Sequence, residues 1–122
     1  MSKIRVATLG LVAVAVLAWA VPALAHQGRA ASTITVTEGK PTPFTIKLSA
    51  SSVKHGAVTF KVTNGGVGLP HDFSINGKKT SMIQPGKSAT LTVTFKKAGK
   101  YAYQCTVPGH AAGGMKGTLK VT

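Results

Sequence analysis

The 122-residue chain contains very few residues of several chemically important types. It has one cysteine, Cys105, and only two acidic residues, Glu38 and Asp72. A single cysteine excludes an internal disulfide, so its thiol is either an unpaired reactive group or a metal ligand. The longest apolar run, 7–21, has 15 residues, fewer than the roughly 20 that a membrane-spanning helix needs. The chain after this run has no helical period, internal repeat or interdomain linker.

The apolar run has the features of a secretory signal peptide. Lys3 and Arg5 precede it, and Ala23-Leu24-Ala25 forms an A-x-A cleavage site behind it. We therefore predict a signal peptide over 1–25 and a single domain over 26–122, with a retained membrane anchor as the alternative. The predicted protein is exported, to a periplasm, to a cell surface or into the medium.

Positive charge dominates the predicted domain. The formal charge of +13 falls to +11 when Lys3 and Arg5 are removed with the signal peptide. The lysines are dispersed and the domain has a single arginine, which argues against a nucleic-acid partner. The electrostatic field of this positive charge favours partner proteins with acidic surfaces, or contact with an anionic cell surface. The alternative is a lysine-rich surface that only keeps a monomeric protein in solution.

Short runs of alternating polar and apolar residues fill the chain from 33 to 121, separated by Gly, Pro and Asn. This pattern is typical of half-buried strands. It predicts an all-β fold in which seven to eight strands form a two-sheet β-sandwich. The apolar residues predicted to face its core are Ile34, Val36, Phe44, Ile46, Val58, Phe60, Val62, Phe73, Ile75, Leu91, Val93, Phe95, Leu119 and Val121.

A thiol, an imidazole and a thioether share one short loop, 105–115. Four residues separate Cys105 from His110, and four more separate His110 from Met115. A thiolate, histidines and a weak methionine are the ligands of a blue-copper centre. Alternatively, Cys105 is a buried structural thiol and Met115 belongs to the core. A copper centre of this kind needs a second histidine from elsewhere in the chain.

Three further histidines are candidates for the missing ligand. His71 has the best context, because it follows Leu69-Pro70 at the point where a loop enters a predicted strand. His55 is predicted to be a surface turn residue. His26 would become the N-terminal residue after cleavage and could chelate Cu(II) through its amine and imidazole, as a minor alternative. Met82 is predicted to pack in the core.

Two stretches, 69–75 (LPHDFSI) and 101–121 (YAYQCTVPGHAAGGMKGTLKV), closely resemble the cupredoxin family of small blue-copper proteins. The resemblance is to the azurin, auracyanin and plastocyanin type. It implies a Greek-key β-sandwich with one type 1 copper ion, and single-electron transfer between redox partners. By resemblance, the strong ligands are His71, Cys105 and His110, and the weak axial ligand is Met115.

The residues around these ligands carry further expectations. Asp72 stands where the family often has asparagine. We expect it to accept hydrogen bonds from backbone N–H groups near Thr106, and its charge to favour Cu(II) and lower the potential. Pro108 shapes the loop so that an edge of His110 lies near the surface. A docking patch is predicted around that edge, and the alternative is that its apolar residues are merely exposed and have no function. The residues of the predicted patch are Val67, Leu69, Val107, Ala111 and Ala112.

The predicted function is therefore electron transfer through a mononuclear Cu(I)/Cu(II) centre. The alternative is copper transport, delivery or storage, which the small number of methionines, three, does not favour. An enzyme is not predicted, because four side-chain ligands leave the metal no open position for a substrate. The sequence also contains no second cluster of copper ligands.

Overall fold

The computed structural model describes residues 31–122 and three isolated earlier positions, Gly10, Ala13 and Ala15. The rest of the predicted signal peptide, its cleavage site and His26 lie outside the described residues. Within the part of the chain that is described, no helix is long and apolar enough to cross a membrane.

Residues 31–122 form two sheets of strands. One sheet has the order β2-β1-β4-β7, and the other has the order β3-β9-β8-β5-β6. The strands are β1 (Ser32–Glu38), β2 (Ile46–Leu48), β3 (Ser52–Val53), β4 (Gly56–Asn64), β5 (Ser74–Ile75), β6 (Lys78–Lys79), β7 (Ser88–Phe95), β8 (Gly99–Gln104) and β9 (Lys116–Val121).

The all-β sandwich is confirmed, but the predicted number of strands is wrong. The described residues contain nine strands rather than seven or eight, and β3, β5 and β6 have only two residues each. Alternation cannot reveal a strand of two residues. The strand predicted to begin at His71 shortens to Ser74–Ile75, because His71 forms only an isolated bridge with Ile83.

The core lies between the sheets and follows the alternation of the long strands. Phe60 on β4 is fully buried and packs against Phe73 and Phe95, with ring centroids 5.0 and 6.3 Å away. Burying each such side chain stabilises the fold by about 1.5–3 kcal/mol. The placement of Phe44 in the core is wrong: it is 40% exposed, because it precedes β2, which begins at Ile46.

Candidate metal centre

The loop 105–115 is held closed by backbone hydrogen bonds at its two ends. Cys105 directly follows β8, and its N–H donates to the carbonyl of Met115 at 3.0 Å, just before β9. Inside the loop, the His110 N–H donates to the carbonyl of Val107 at 3.0 Å, and the Met115 N–H donates to the carbonyl of His110 at 3.1 Å. The β8–β9 ladder therefore fixes Cys105, His110 and Met115 relative to one another.

His71 reaches the same end of the sandwich from a different segment. Its N–H donates to the carbonyl of Ile83 at 3.1 Å, and the Ile83 N–H donates back at 2.7 Å. The buried Asn64 side chain braces this bridge, since its Nδ2 donates to the carbonyls of Leu69 and Ile83 at 2.8 and 2.9 Å. This role of Asn64 is not evident from the sequence, because an asparagine before a glycine pair also indicates an ordinary turn.

The end of β1 packs tightly against the His71 segment. Gly39 has a φ of +74°, and a Cβ on it would lie 2.9 Å from the Cα of Gly66 and 3.2 Å from Nε2 of His71. A side chain here would therefore clash with backbone and strain the φ angle. Because Gly39 has no side chain, the backbone that follows β1 can lie close to the Nε2 side of the His71 ring.

Three potential ligand atoms converge in the structure. The Nδ1 atoms of His71 and His110 are 3.1 Å apart, and the Sγ atom of Cys105 lies 4.0 and 3.7 Å from them. The point equidistant from these three atoms lies about 2.1 Å from each of them. Zinc, a first-row metal like copper, bonds to imidazole and thiolate at about 2.0–2.3 Å. One metal ion therefore fits between all three.

Met115 completes the group of residues predicted to bind the metal. Its side chain is fully buried, as are Cys105 and, at 1% exposure, His71. His110 is the most exposed of the four at 8%. The predicted orientation, in which an edge of His110 lies nearest to solvent, is consistent with this difference.

Burial sets the charges of Cys105 and His71 before any metal binds. It raises the pKa of the Cys105 thiol, so the thiol keeps its proton. Burial and the nearby His110 lower the pKa of His71, so its imidazole is neutral. Neutral imidazoles offer their lone pairs to a metal, and a bound cation displaces the thiol proton.

Asp72 links the His71 segment to the cysteine loop, as the sequence predicted. Its Oδ1 accepts a hydrogen bond from the Thr106 N–H at 2.6 Å, and its Oδ2 accepts one from the Thr106 hydroxyl at 2.5 Å. The carboxyl group is 1% exposed. These bonds fix the first residue after Cys105, and hence the start of the loop. The effect of Asp72 on the potential stays a prediction.

The other predicted residues fall into exposed and half-buried positions. His55 is exposed and its Nδ1 lies 2.9 Å from the carbonyl of Thr122, in agreement with its assignment to the surface. Met82 is 48% exposed, so its predicted place in the core is wrong. Pro108 and the predicted docking residues lie on or near the surface. The exposed residues are Val67, Pro108 and Ala112. The half-buried residues are Leu69, Val107 and Ala111.

Phe44 is an aromatic neighbour of the site that the sequence analysis placed elsewhere. Its ring meets the His110 imidazole edge-on, with centroids 5.2 Å apart and an interplanar angle of 72°. Its backbone also lies close to Gly114, where an added Cβ would be 3.3 Å from the Phe44 carbonyl oxygen. The segment before β2 therefore covers one side of the 105–115 loop.

A β-sandwich that buries two histidines, a cysteine and a methionine at one end defines the class of type 1 copper proteins. Residues 27–122 match the model of the copper-binding proteins of the plastocyanin/azurin family. The chain belongs to this family, and its cofactor is copper.

Two curated relatives share short, well-matched segments with this chain. The copper-resistant cuproprotein CopI of Pseudomonas aeruginosa is 50% identical over 40 residues, which are 33% of this chain and 22% of that protein. Auracyanin-B of Chloroflexus aurantiacus is 49% identical over 43 residues, which are 35% of this chain and 18% of that protein. The matched segments therefore span only about a fifth of the length of these relatives.

The fold has a counterpart among solved structures. The structure of dithionite-reduced auracyanin from Roseiflexus castenholzii superposes with a TM-score of 0.61 and 22% sequence identity. The match covers 77% of this chain and 99% of that one. At this identity the likeness concerns the fold, and it extends over nearly the whole described domain.

Proposed function

We propose that this protein is an exported carrier of single electrons, with His71, Cys105, His110 and Met115 as the ligands of its copper ion. The observation that carries the proposal is the convergence of three buried ligand atoms around one point, with distances of 3.1, 3.7 and 4.0 Å between them. Copper supplies a one-electron Cu(I)/Cu(II) couple. Export is supported by the sequence pattern over 1–25.

The protein's contribution to electron transfer is rigidity. His71 is fixed by its bridge to Ile83 and by Asn64, and Cys105 is fixed by the β8–β9 ladder and the bonds between Thr106 and Asp72. Side chains held in this way move little when the charge of the site changes. A small change in geometry allows fast electron transfer.

Catalysis is not part of the proposal. The four proposed ligands are buried, and together they would leave copper no open coordination position of the kind that a catalytic metal needs. Within residues 31–122, the group formed by His71, Cys105 and His110 is the only cluster of three or more metal-binding side chains. A copper enzyme with a second copper site would need a cluster beyond these residues.

Spectroscopy of the copper-loaded protein tests the proposed site. We expect an intense blue colour from charge transfer between thiolate and Cu(II), and the paramagnetic resonance spectrum of a type 1 site. A colourless Cu(II) complex with an ordinary tetragonal spectrum would contradict the ligand assignment.

Copper handling is the second candidate function, and the match to a copper-resistant cuproprotein favours it. The two functions differ in kinetics. A carrier exchanges electrons with itself quickly and loses copper slowly to a chelator. A delivery protein loses copper quickly, which would overturn the carrier assignment while leaving the ligand assignment intact.

The proposed docking surface surrounds the edge of His110 and now includes Phe44. The exposed Phe44 ring contacts the His110 imidazole, so a partner bound to this ring would lie next to a proposed copper ligand. Aromatic residues are enriched where protein interfaces are tightest. The dispersed lysines favour a monomer that meets redox proteins with acidic surfaces or an anionic cell surface, and nucleic acid is not proposed as a partner.

Replacing Phe44 with alanine is expected to slow electron transfer to a partner protein about tenfold, the effect of losing about 1.4 kcal/mol of contact energy. The blue spectrum should persist, because Phe44 is not a ligand. Stopped-flow kinetics with an acidic redox protein measures the effect. Thr92, exposed on the outer face of β7, provides the matched control, and Thr92→Ala should leave the rate unchanged. Equal rates in the two variants would exclude Phe44 from the docking surface.

A further inference from the structure

The only two acidic residues of the chain are both buried near the metal centre, and they differ in their hydrogen bonds. Asp72 accepts two hydrogen bonds from Thr106. Glu38 is 0% exposed, and neither of its carboxyl oxygens has a hydrogen-bond partner among the described residues. Buried polar groups are nearly always partnered, and those that are not require an explanation. The binding and docking functions proposed above give Glu38 no role.

The backbone places Glu38 on the inner face of the sandwich beside the site. It is the last residue of β1, and Ile34 and Val36 precede it on the same buried face. The next residue, Gly39, lies close to the His71 ring, since a Cβ on it would be 3.2 Å from Nε2 of His71. The charge of Glu38 also acts on the Cys105 thiol, whose pKa it helps to raise. A charge on Glu38 therefore acts on Cys105, one of the residues proposed to bind copper.

No cation faces Glu38 from the neighbouring strands. Lys47 on β2 and Lys61 on β4 pair with Thr37 and Thr35, so they point to the outer face of the sheet. The titratable groups that interact electrostatically with Glu38 are Asp72 and Cys105, and His71 lies near the adjacent Gly39. Burial first, and then the charge of Asp72, raise the pKa of Glu38 from 4.5 to about 8. A neutral carboxylic acid is the form that suits these surroundings.

Resting on the electron-transfer function proposed above, we propose that Glu38 couples a proton to the copper's electron. On oxidation, one electron leaves the site for the one-electron acceptor, and one proton leaves the Glu38 carboxylic acid for water. On reduction, the carboxylate takes the proton back. The physical reason is that oxidation adds one positive charge to a buried site, where a nearby carboxylate stabilises that charge more strongly than it would in water.

The pH dependence of the reduction potential tests this coupling in the copper-loaded protein and its Glu38→Gln variant. Glutamine has nearly the same size but cannot ionise. We expect the native potential to fall as the pH rises through neutrality. The slope should approach a tenfold change in the equilibrium constant per pH unit, about 59 mV for one electron. The Gln variant should lack this part of the slope.

Equal slopes in the two proteins, or a native potential that does not change with pH, would overturn the proposal. Titration of an imidazole contributes the same slope to both proteins, so only their difference reports on Glu38. Loss of the blue colour in the native protein would instead contradict the copper site itself, which separates the two failures.

A second measurement needs no variant and tests the protonated state that the coupling requires, so the proposal can be refuted even if Glu38→Gln does not fold. Glu38 is the only glutamate of the chain, so labelling glutamate at its side-chain carboxyl carbon gives a single carbon resonance. In the copper-free and Cu(I) proteins, we expect this resonance at the position of a protonated acid at pH 6. A carboxylate resonance at pH 6 in both forms would overturn the proposal.

Discussion

Replacing Cys105 with serine abolishes the blue colour of the copper-loaded protein. Serine is close in size to cysteine, so the hydrogen bond from the backbone N–H of residue 105 to the carbonyl of Met115 can persist. Its hydroxyl is a hard oxygen donor that keeps its proton, whereas copper in such a site favours a soft thiolate. We therefore expect the visible charge-transfer band to disappear entirely and the affinity for Cu(I) to fall. Visible absorption, paramagnetic resonance and copper titration measure these changes.

The matched control for this substitution is Met82→Leu, because Met82 is an exposed sulfur-containing residue outside the proposed ligand set. Its colour should equal that of the native protein. Circular dichroism of both variants separates a loss of ligand from a loss of fold. Since the chain has no second cysteine, a blue Cys105→Ser variant would exclude a thiolate origin of the colour.

Glu38 makes the copper-free protein less stable as the pH rises from about 4.5 to about 8. The folded state keeps the Glu38 proton up to a pKa of about 8, whereas an exposed glutamate loses it near 4.5. Between these values the unfolded state binds fewer protons, so the free energy of unfolding falls with pH. The full loss is on the order of 5 kcal/mol, at about 1.36 kcal/mol per pH unit.

Urea unfolding of the copper-free protein and of Glu38→Gln, at several pH values in this range, measures the loss. The copper-free form is needed because bound copper adds its own stabilisation. His71 acts in the opposite direction: because its pKa is lowered, its contribution to stability rises with pH below its unfolded value of 6.5 and is complete above that value. That contribution is common to both proteins, so the difference between their curves isolates Glu38. Parallel curves would refute the assignment.

Much of the fold could be predicted because the long strands lie between a core and solvent. The runs now seen as β1, β4, β7 and β9 alternate in the sequence as they alternate in burial. The short strands could not be predicted in this way. Their pairing depends on neighbours far along the chain, as with β5, whose two residues pair with Gln104 and Tyr103 of β8.

The misplacement of Phe44 and Met82 shows a limit of hydrophobicity as a signal. Both side chains are apolar, and both were assigned to the core. Phe44 is half-exposed because it caps His110 at the edge of the metal site, and Met82 is exposed beside the buried Ile83. An apolar side chain at a functional surface is chemically the same as one in the core, and only its position in the fold distinguishes the two.

The sequence by itself determined the β-sandwich and the spacing from Cys105 to Met115, and it was enough to predict His71 as a ligand, because these follow from local patterns and side-chain chemistry. Tertiary structure alone decided how the ends of distant strands meet. It brought three ligand atoms to within 4.0 Å of one another, placed Asn64 behind His71 and buried Glu38 without a partner. The reason is that burial and long-range hydrogen bonds depend on contacts between residues far apart in the chain, which local sequence patterns do not encode.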